Sequence, residues 1–325
     1  MEQFIFALNA SLPVFLVILV GWFLRRVGLL NDAFCKVADQ YVFKAALPVS
    51  LFQSVSTMEI YKDFNLGFCL FCAVGTCVMF LAMWFISFRV MKKKPELIGA
   101  FAQASVRSSA AILGLALATN IYGGVGMVPM MIVAAVPLFN IFGVIILTFS
   151  PHVDEQGRLM EEAHTGGASA VKKACVNVAR NPIIIGILLG IPFALLQIRL
   201  PTVLTSTISS VGGTATPIAL LTIGASFSGG EAMKKLKPAA VATVIKLLVL
   251  PALFLPIAAL LGFRESALVA ILIMSGAPTT VSCYVMCRQM HGDSVLTSNT
   301  IVLSTLCSAL SITLWLWVLR LLALI

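Results

Sequence analysis

The sequence predicts an all-α membrane protein of about ten transmembrane helices, arranged as two oppositely inserted five-helix repeats. Its composition, its ten apolar runs and an internal repeat at one constant offset predict this class. The 325 residues are 60% hydrophobic and 11% charged, with a mean hydropathy of +1.03. So much apolar surface would aggregate in a soluble domain, but a bilayer requires it, because each spanning helix needs about 20 apolar residues.

Ten apolar runs of spanning length follow one another along the chain. They cover residues 4–24, 36–57, 64–90, 96–119, 124–149, 179–198, 206–228, 238–262, 265–288 and 294–322. The longest polar break, 151–178, is predicted to be a cytoplasmic linker. It separates a first five-helix repeat, 1–150, from a second, 179–325.

The basic residues predict the orientation of these runs. Sixteen of the 22 Lys and Arg residues fall on one side of the predicted spans and four on the other. The positive-inside rule places the side with 16 basic residues in the cytoplasm. Both termini are then predicted on the extracytoplasmic side of the cytoplasmic membrane. Because the basic residues lie in short loops between apolar runs, the net charge of +9 does not indicate a nucleic-acid partner.

The two halves align without a gap at an offset of 169 residues. Two prolines, two glycines and a glutamate recur at this spacing: Pro13 with Pro182, Pro48 with Pro217, Gly21 with Gly190, Gly123 with Gly292, and Glu96 with Glu265. Since each half has an odd number of spans, the second copy enters the membrane from the opposite side. Inverted repeats of this kind are typical of alternating-access transporters, which bind substrate near the bilayer midplane where broken helices meet.

The predicted substrate site lies where the fourth and ninth spans are interrupted. The ninth contains Ser275, Gly276, Pro278, Thr279 and Thr280, and Gly276 and Pro278 are predicted to break its helix. Pro278 follows Glu265 by a length of helix that rises about 20 Å, which is near the bilayer centre.

The matching stretch of the fourth span is Arg107, Ser108 and Ser109, and Ser109 aligns with Pro278. Arg107 and Lys246 are charges placed within spans rather than at their ends. A charge inside a span is expensive unless it is paired or lines a wet cavity. Arg107 therefore either contacts substrate or braces the bundle, whereas Lys246 is expected to be structural, since its sequence neighbours are apolar.

Further candidates lie near other prolines. Pro48 and Pro217 interrupt helices at paired positions and make either plain kinks or cavity-lining breaks; Gln53 and Thr222, close to them, are candidate substrate contacts. Tyr284 either stacks on a planar substrate or packs in the core.

The residue types that are absent from the middle of the predicted spans also restrict the possible functions. All 13 Asp and Glu residues lie in loops or near span ends, so no mid-membrane carboxylate is expected to hold sodium or relay a proton. Most of the eight cysteines lie in apolar runs, so no metal and no cofactor is predicted. The prediction is a secondary carrier of a small organic anion. The alternatives are a cation/proton-coupled antiporter of similar fold and a non-transporting membrane sensor; no paired nucleophile and base indicates an enzyme.

The chain resembles the auxin efflux carrier family, including bacterial members often called malate permeases. The resemblance is carried by the stretches 107–109, 113–116, 180–182, 215–227, 277–286 and 289–293. It implies crossing fourth and ninth helices and export of a malate-like or auxin-like carboxylate held at the crossover. A homodimer is suggested by analogy alone. Family members commonly have Asn where Ser109 stands and Pro where Ala116 stands, and this chain differs at both positions.

Overall fold

The computed structural model describes residues 2–57, 65–154, 159–160, 175–227 and 229–325, and all regular secondary structure in these ranges is helical. The first part of the chain forms α1 (Glu2–Arg26), α2 (Asp32–Tyr41), α3 (Leu47–Ser56), α4 (Leu66–Val90), α5 (Ile98–Ala104), α6 (Ala110–Tyr122) and α7 (Val128–Phe149). The second part forms α8 (Pro182–Leu196), α9 (Thr202–Gly213), α10 (Ala215–Ala225), α11 (Gly229–Lys234), α12 (Leu236–Val244), α13 (Leu250–Leu260), α14 (Ser266–Gly276), α15 (Ser282–Gln289) and α16 (Ser294–Leu321).

Helix starts are set by polar caps that hydropathy alone does not detect. The predicted run 36–57 begins earlier, at Asp32, because the Asn31 side chain accepts a hydrogen bond of 2.8 Å from the Phe34 amide. Asn65 caps α4 and Asp293 caps α16 in the same way. Such caps satisfy amide groups that a helix start leaves unpaired.

Several helices have the length and composition of transmembrane segments. In the described part of the chain, five helical stretches are long and apolar enough to cross a membrane: Leu66–Val90, Val128–Phe149, Thr202–Ala225, Leu236–Leu260 and Ser294–Leu321. The shorter helices α8 and α14 are also apolar. The protein is therefore an integral membrane protein.

The distribution of side chains also fits a lipid solvent. On α4, the exposed face is a stripe of large apolar residues: Leu70, Val74, Val78, Leu81 and Phe85. On α16, the buried face carries hydroxyl groups instead: Thr297, Thr300, Ser304, Ser308 and Ser311. Lipid is as apolar as leucine, so membrane helices place polar groups inward, where they hydrogen-bond to neighbouring backbone.

Close helix pairs depend on glycine. A Cβ added at Gly21 would lie 2.3 Å from the Leu221 carbonyl oxygen, and one added at Gly224 would lie 1.9 Å from that of Ile18, so α1 and α10 pack backbone to backbone. Helices α8 and α3 pack similarly, since a Cβ at Gly190 would lie 3.0 Å from the Phe52 carbonyl oxygen. Small residues at such interfaces are typical of membrane helix packing.

Of the two alternatives predicted for Pro48, the break is wrong, because the helix is continuous there; the plain kink stays a prediction. The backbone continues from α2 into α3 through a π-helical turn, Val42–Ala46, which widens the helix one turn before the proline and so avoids a break. The same arrangement recurs in the second half, where the π-helical turn Ile245–Val249 joins α12 to α13 just before Pro251. Near Pro217, by contrast, α9 ends and α10 begins with a turn at Thr214 between them.

The start of the predicted linker packs against the second half. The Val153 amide donates to the His291 carbonyl oxygen at 2.7 Å, and Val153 forms an isolated antiparallel bridge with Leu159. Most of the predicted linker 151–178, namely 155–158 and 161–174, lies outside the described residues.

Candidate functional site

Two helix pairs are each separated by a short non-helical segment. Helix α5 ends at Ala104 and α6 begins at Ala110, while α14 ends at Gly276 and α15 begins at Ser282. Ala277 has the extended backbone conformation that precedes a proline, with φ −70° and ψ 154°. The intervening segments 105–109 and 277–281 carry most of the predicted site residues.

These two segments lie against each other and run in opposite directions. Ser108 and Thr279 form an antiparallel bridge, and the Ser109 amide donates a hydrogen bond of 2.8 Å to the Pro278 carbonyl oxygen. We call this contact between 105–109 and 277–281 the crossover. Its backbone pairing satisfies groups that the helix ends leave free.

Side chains of each segment also satisfy the helix end of the other. The Thr279 hydroxyl donates to the Ala104 carbonyl oxygen at 2.8 Å, and the Ser108 hydroxyl donates to the Met274 carbonyl oxygen at 2.5 Å. The Thr279 amide donates to Ser304 on α16 at 3.0 Å. Ser108, Thr279 and Ser304 are buried and hold the crossover together, so they are not open to a ligand in this structure.

Arg107 is buried behind the crossover, with 1% of its surface exposed. Its Nη2 atom donates to Asn140 Oδ1 and to Ser282 Oγ, each at 2.8 Å, and Nη1 donates to the Met286 sulfur. Its Nε atom has no hydrogen-bond partner. A Cβ at position 143 would lie 3.0 Å from Nη1, so Gly143 on α7 leaves the space that the guanidinium occupies.

Lys246 is fully buried at the same crossover, and polar groups surround it in space although its sequence neighbours are apolar. From the π-helical turn, its ammonium group donates to the carbonyl oxygens of Val106 at 2.8 Å and Ser275 at 2.9 Å. It also contacts the Met274 carbonyl oxygen at 3.5 Å and the Ser108 hydroxyl. The lysine thus joins both segments, and its polar partners come from other helices, which its sequence neighbours do not reveal.

The two cations are not balanced by carboxylates. Their hydrogen-bond partners are neutral, and no ion pair within 4.0 Å joins either cation to a carboxylate of the described residues. Burying an unpaired charge costs several kcal/mol per ion. The crossover therefore holds two buried basic side chains without a carboxylate partner among the described residues.

One edge of the crossover is partly exposed. Ser109, Thr280 and Ser282 are half-buried, and the hydroxyls of Thr280 and Ser282 lie 3.4 Å apart. The starts of α6 and α15 have no side-chain caps, and both helices begin at this edge. Hydroxyl groups, helix N-termini and a cation behind them are the groups that proteins use to bind anions.

The remaining predicted contacts do not lie at the crossover. Gln53 instead lines a cavity of about 280 Å³ with Ser56, Thr57, Gln197, Arg199 and Thr205. Ser275 is buried, and its hydroxyl donates to the Ile271 carbonyl oxygen of its own helix. Gly276 packs on α13, because a Cβ there would lie 2.6 Å from Pro251.

Thr222 and Tyr284 belong to a second polar cluster, which we call the Asp39 cluster. Asp39 is completely buried, and its carboxylate accepts from the Thr222 hydroxyl at 2.7 Å and lies 2.9 Å from Arg288 Nη1. Arg288 also donates to Tyr284 Oη at 2.6 Å and to Ser226 at 2.7 Å. Tyr284 is packed in the core, so its face is not available for stacking.

Sequence reasoning did not identify the part that several polar residues play in these two sites. Asn140 and Ser282 bind Arg107, Lys246 joins the two segments, and Asp39 is buried inside the bundle rather than at a solvated span end. Two signals were present in the sequence: a lysine in an apolar span, and an asparagine in the most apolar one. Neither identifies its partner, because every contact is made between distant segments.

An apolar bundle with interrupted helices that meet in a buried polar crossover is typical of membrane transport proteins. The family described as membrane transport protein matches residues 6–316, and the chain belongs to it, as the resemblance to auxin efflux carriers predicts. An uncharacterized transporter of Methanocaldococcus jannaschii, MJ1031, is 21% identical over 324 residues. The alignment covers 96% of this chain and 98% of that protein.

Proposed function

We propose that the protein is a secondary carrier that moves a small organic anion, such as a malate-like or auxin-like carboxylate, across the cytoplasmic membrane by alternating access. One observation favours an anion as the substrate. Two buried cations, Arg107 and Lys246, lie at the crossover without a carboxylate partner among the described residues. A bound anion would supply the missing charge and recover part of the free energy that their burial costs.

The proposed architecture is ten transmembrane helices in a 5+5 inverted repeat, 1–150 and 179–325, joined by a cytoplasmic linker, 151–178. The contacts support it. Gly21 approaches Leu221, and Gly190 approaches Phe52; each residue of the second contact is related to one of the first by the 169-residue offset. The same offset relates Ser109 and Pro278, which bond to each other across antiparallel segments.

In this proposal, the anion binds at the half-buried edge of the crossover. Ser109, Thr280 and Ser282 donate hydrogen bonds to it, together with the uncapped starts of α6 and α15. Arg107 does not contact the anion directly in this proposal. It donates a hydrogen bond of 2.8 Å to the Ser282 hydroxyl and so orients that group towards the anion. Pro278 keeps the ninth span open at this point, since it removes an amide donor and cannot continue the helix.

The direction of flux follows from the membrane potential and the proposed orientation. With the interior negative, moving a monovalent anion outward gains about 2.3 kcal/mol per 100 mV, so efflux needs no coupled ion. The orientation itself is testable on Cys175, which is exposed within the predicted linker. We expect a membrane-impermeant maleimide to label Cys175 in inside-out vesicles and not in right-side-out ones.

Proton-coupled exchange is the second candidate, and the buried Asp39 carboxylate favours it. Its contacts with Arg288 at 2.9 Å and with the Thr222 hydroxyl at 2.7 Å favour a structural role over that of a proton carrier. A protonophore distinguishes the two functions. It would abolish accumulation driven by a pH gradient, whereas transport of an anion driven by a potassium diffusion potential would continue.

The direct test is a ligand screen on the purified protein, followed by flux measurements. Mono- and dicarboxylates and indole acids are screened by thermal shift, and binders are then tested for uptake into proteoliposomes. We expect at least one carboxylate to raise the melting temperature and to be transported in the wild type but not in Arg107→Met. Stabilisation and transport of cations alone would overturn the proposal.

A further inference from the structure

We propose that Lys246 is a resident cation: its ammonium fills an oxygen-lined cage between the two crossing segments and replaces the soluble cation that such a cage would otherwise bind. The cage is formed by the carbonyl oxygens of Val106, Met274 and Ser275 and the hydroxyl of Ser108. The carrier is consequently independent of sodium. The inference deepens the proposed function, but its stability test does not depend on transport.

The oxygen set is of a kind that binds monovalent cations. Three of the four ligands are backbone carbonyls, and carbonyl and hydroxyl oxygens are the ligands that hard cations prefer. They converge because helices end there. Met274 and Ser275 lie in the last turn of α14, whose carbonyl groups have no partner further along the helix and carry the negative end of its dipole.

The surrounding helices bring the lysine to this cage. Lys246 lies on the π-helical turn Ile245–Val249, an insertion that shifts the direction in which its side chain leaves the helix. The close packing of Pro251 on Gly276 brings this helix against the end of α14. Any larger residue at position 276 would separate the two helices and withdraw the ammonium from the carbonyls.

A neutral donor could satisfy some of these oxygens, but only a cation balances their combined dipoles. The ammonium is covalently attached to a third helix and hydrogen-bonds to both segments, so it cannot diffuse away from the crossover as a soluble ion can. A dissociable ion, by contrast, would make the crossover assemble and come apart with the ion concentration. The distinction between a resident and a soluble cation is therefore measurable.

The test compares Lys246→Ala, which empties the cage, with Lys246→Met, which fills it with an uncharged chain. Melting temperatures of the purified proteins are measured in sodium, potassium, methylammonium and N-methylglucamine chloride at equal ionic strength. We expect the wild type to be indifferent to the cation. Lys246→Ala should melt lower and recover roughly 2–4 °C in at least one small cation, and Lys246→Met should melt lower without recovery.

An equal response of Lys246→Ala and Lys246→Met would overturn the proposal, because the cage would then have no affinity for cations. The wild type provides a second test that no folding defect can obscure. If exchanging sodium for N-methylglucamine lowers its melting temperature or its transport, the lysine does not replace a soluble cation. If Lys246→Ala responds to cations while no anion binds or is transported, the role of Lys246 as a resident cation is supported and the proposed function is overturned.

Discussion

The short helix α15 connects two buried polar sites that balance charge in opposite ways. At its start, Ser282 accepts a hydrogen bond from Arg107, a buried cation without a carboxylate partner in the described chain. Near its end, Arg288 is paired with the buried carboxylate of Asp39. The two positions are about 9 Å apart along the helix axis.

Under the proposed function, this difference distinguishes a ligand-binding site from a cluster that stabilises the fold. In the Asp39 cluster, every charge has a partner of the opposite sign, and hydroxyls of Thr222, Ser226 and Tyr284 complete the network. A charge-balanced cluster of this kind specifies how helices pack and does not require a ligand. At the crossover, Arg107 and Lys246 have no carboxylate partner among the described residues, and in the proposed function an incoming anion supplies the opposite charge.

Removing the unbalanced charge should have the largest effect on ligand binding. We expect Arg107→Met to weaken anion binding by roughly 30-fold or more, since truncating one partner of a buried charge pair costs about 2–5 kcal/mol. The melting temperature of the ligand-free protein should stay equal or rise, because an unpaired buried cation is removed. Thermal shift with and without the anion measures both quantities.

Two variants provide the controls for this experiment. Arg107→Lys keeps the charge and should retain part of the affinity, and Arg89→Met removes an exposed arginine on α4 and should change neither quantity. If Arg107→Met lowers the ligand-free stability and leaves the affinity intact, Arg107 is a brace, and the comparison between the two sites fails.

Breaking the balanced pair should instead reduce stability. We expect Asp39→Asn to lower the free energy of unfolding by about 2–3 kcal/mol, below the value for a fully buried pair because 28% of the Arg288 side chain is exposed. The double variant Asp39→Asn with Arg288→Gln should recover part of the loss, since no unpaired charge is left. Additive losses in the double variant, measured by unfolding in detergent, would argue against a coupled pair.

The hydroxyls at the half-buried edge should have smaller effects. Ser109→Ala, Thr280→Val and Ser282→Ala each remove one proposed hydrogen bond to the anion. We expect the affinity to fall about two- to tenfold in each case, because a single hydrogen bond contributes about 0.5–1.5 kcal/mol. Ser206→Ala, on an exposed face of α9, is the matched control. Unchanged affinity in all three variants would move the anion site away from this edge.

The fold and the site differ in how far the sequence predicted them. Transmembrane segments such as Leu66–Val90 and Ser294–Leu321 were predictable, because lipid requires long apolar runs. The segments 107–109 and 275–280 were also identified, since proline, glycine and an arginine are unusual inside a span. The partners of Lys246 were not, because hydrogen bonds between positions 28 to 140 residues apart leave no local pattern.

Asp39 shows a second limit of sequence reasoning. Its place close to a predicted span end suggested a solvated carboxylate, but the Asn31 cap starts the helix earlier and Arg288 covers the carboxylate. The structure groups Thr222 and Tyr284 with Asp39, a grouping that the sequence does not indicate. Tyr284 shares a short helix with Ser282, yet its hydroxyl faces the Asp39 cluster.

Tyr284→Phe should have the smallest effect, and it tests whether the two ends of α15 are independent. The variant keeps the packed ring and removes the hydroxyl that accepts from Arg288 at 2.6 Å. We expect stability to fall by about 1 kcal/mol or less, because Arg288 keeps Asp39 and Ser226 as partners. Affinities for an aromatic and an aliphatic carboxylate should both stay within about twofold of the wild-type values. A selective loss of the aromatic ligand would mean that Tyr284 stacks on substrate in another state of the carrier, and the balanced cluster would then be part of the binding site.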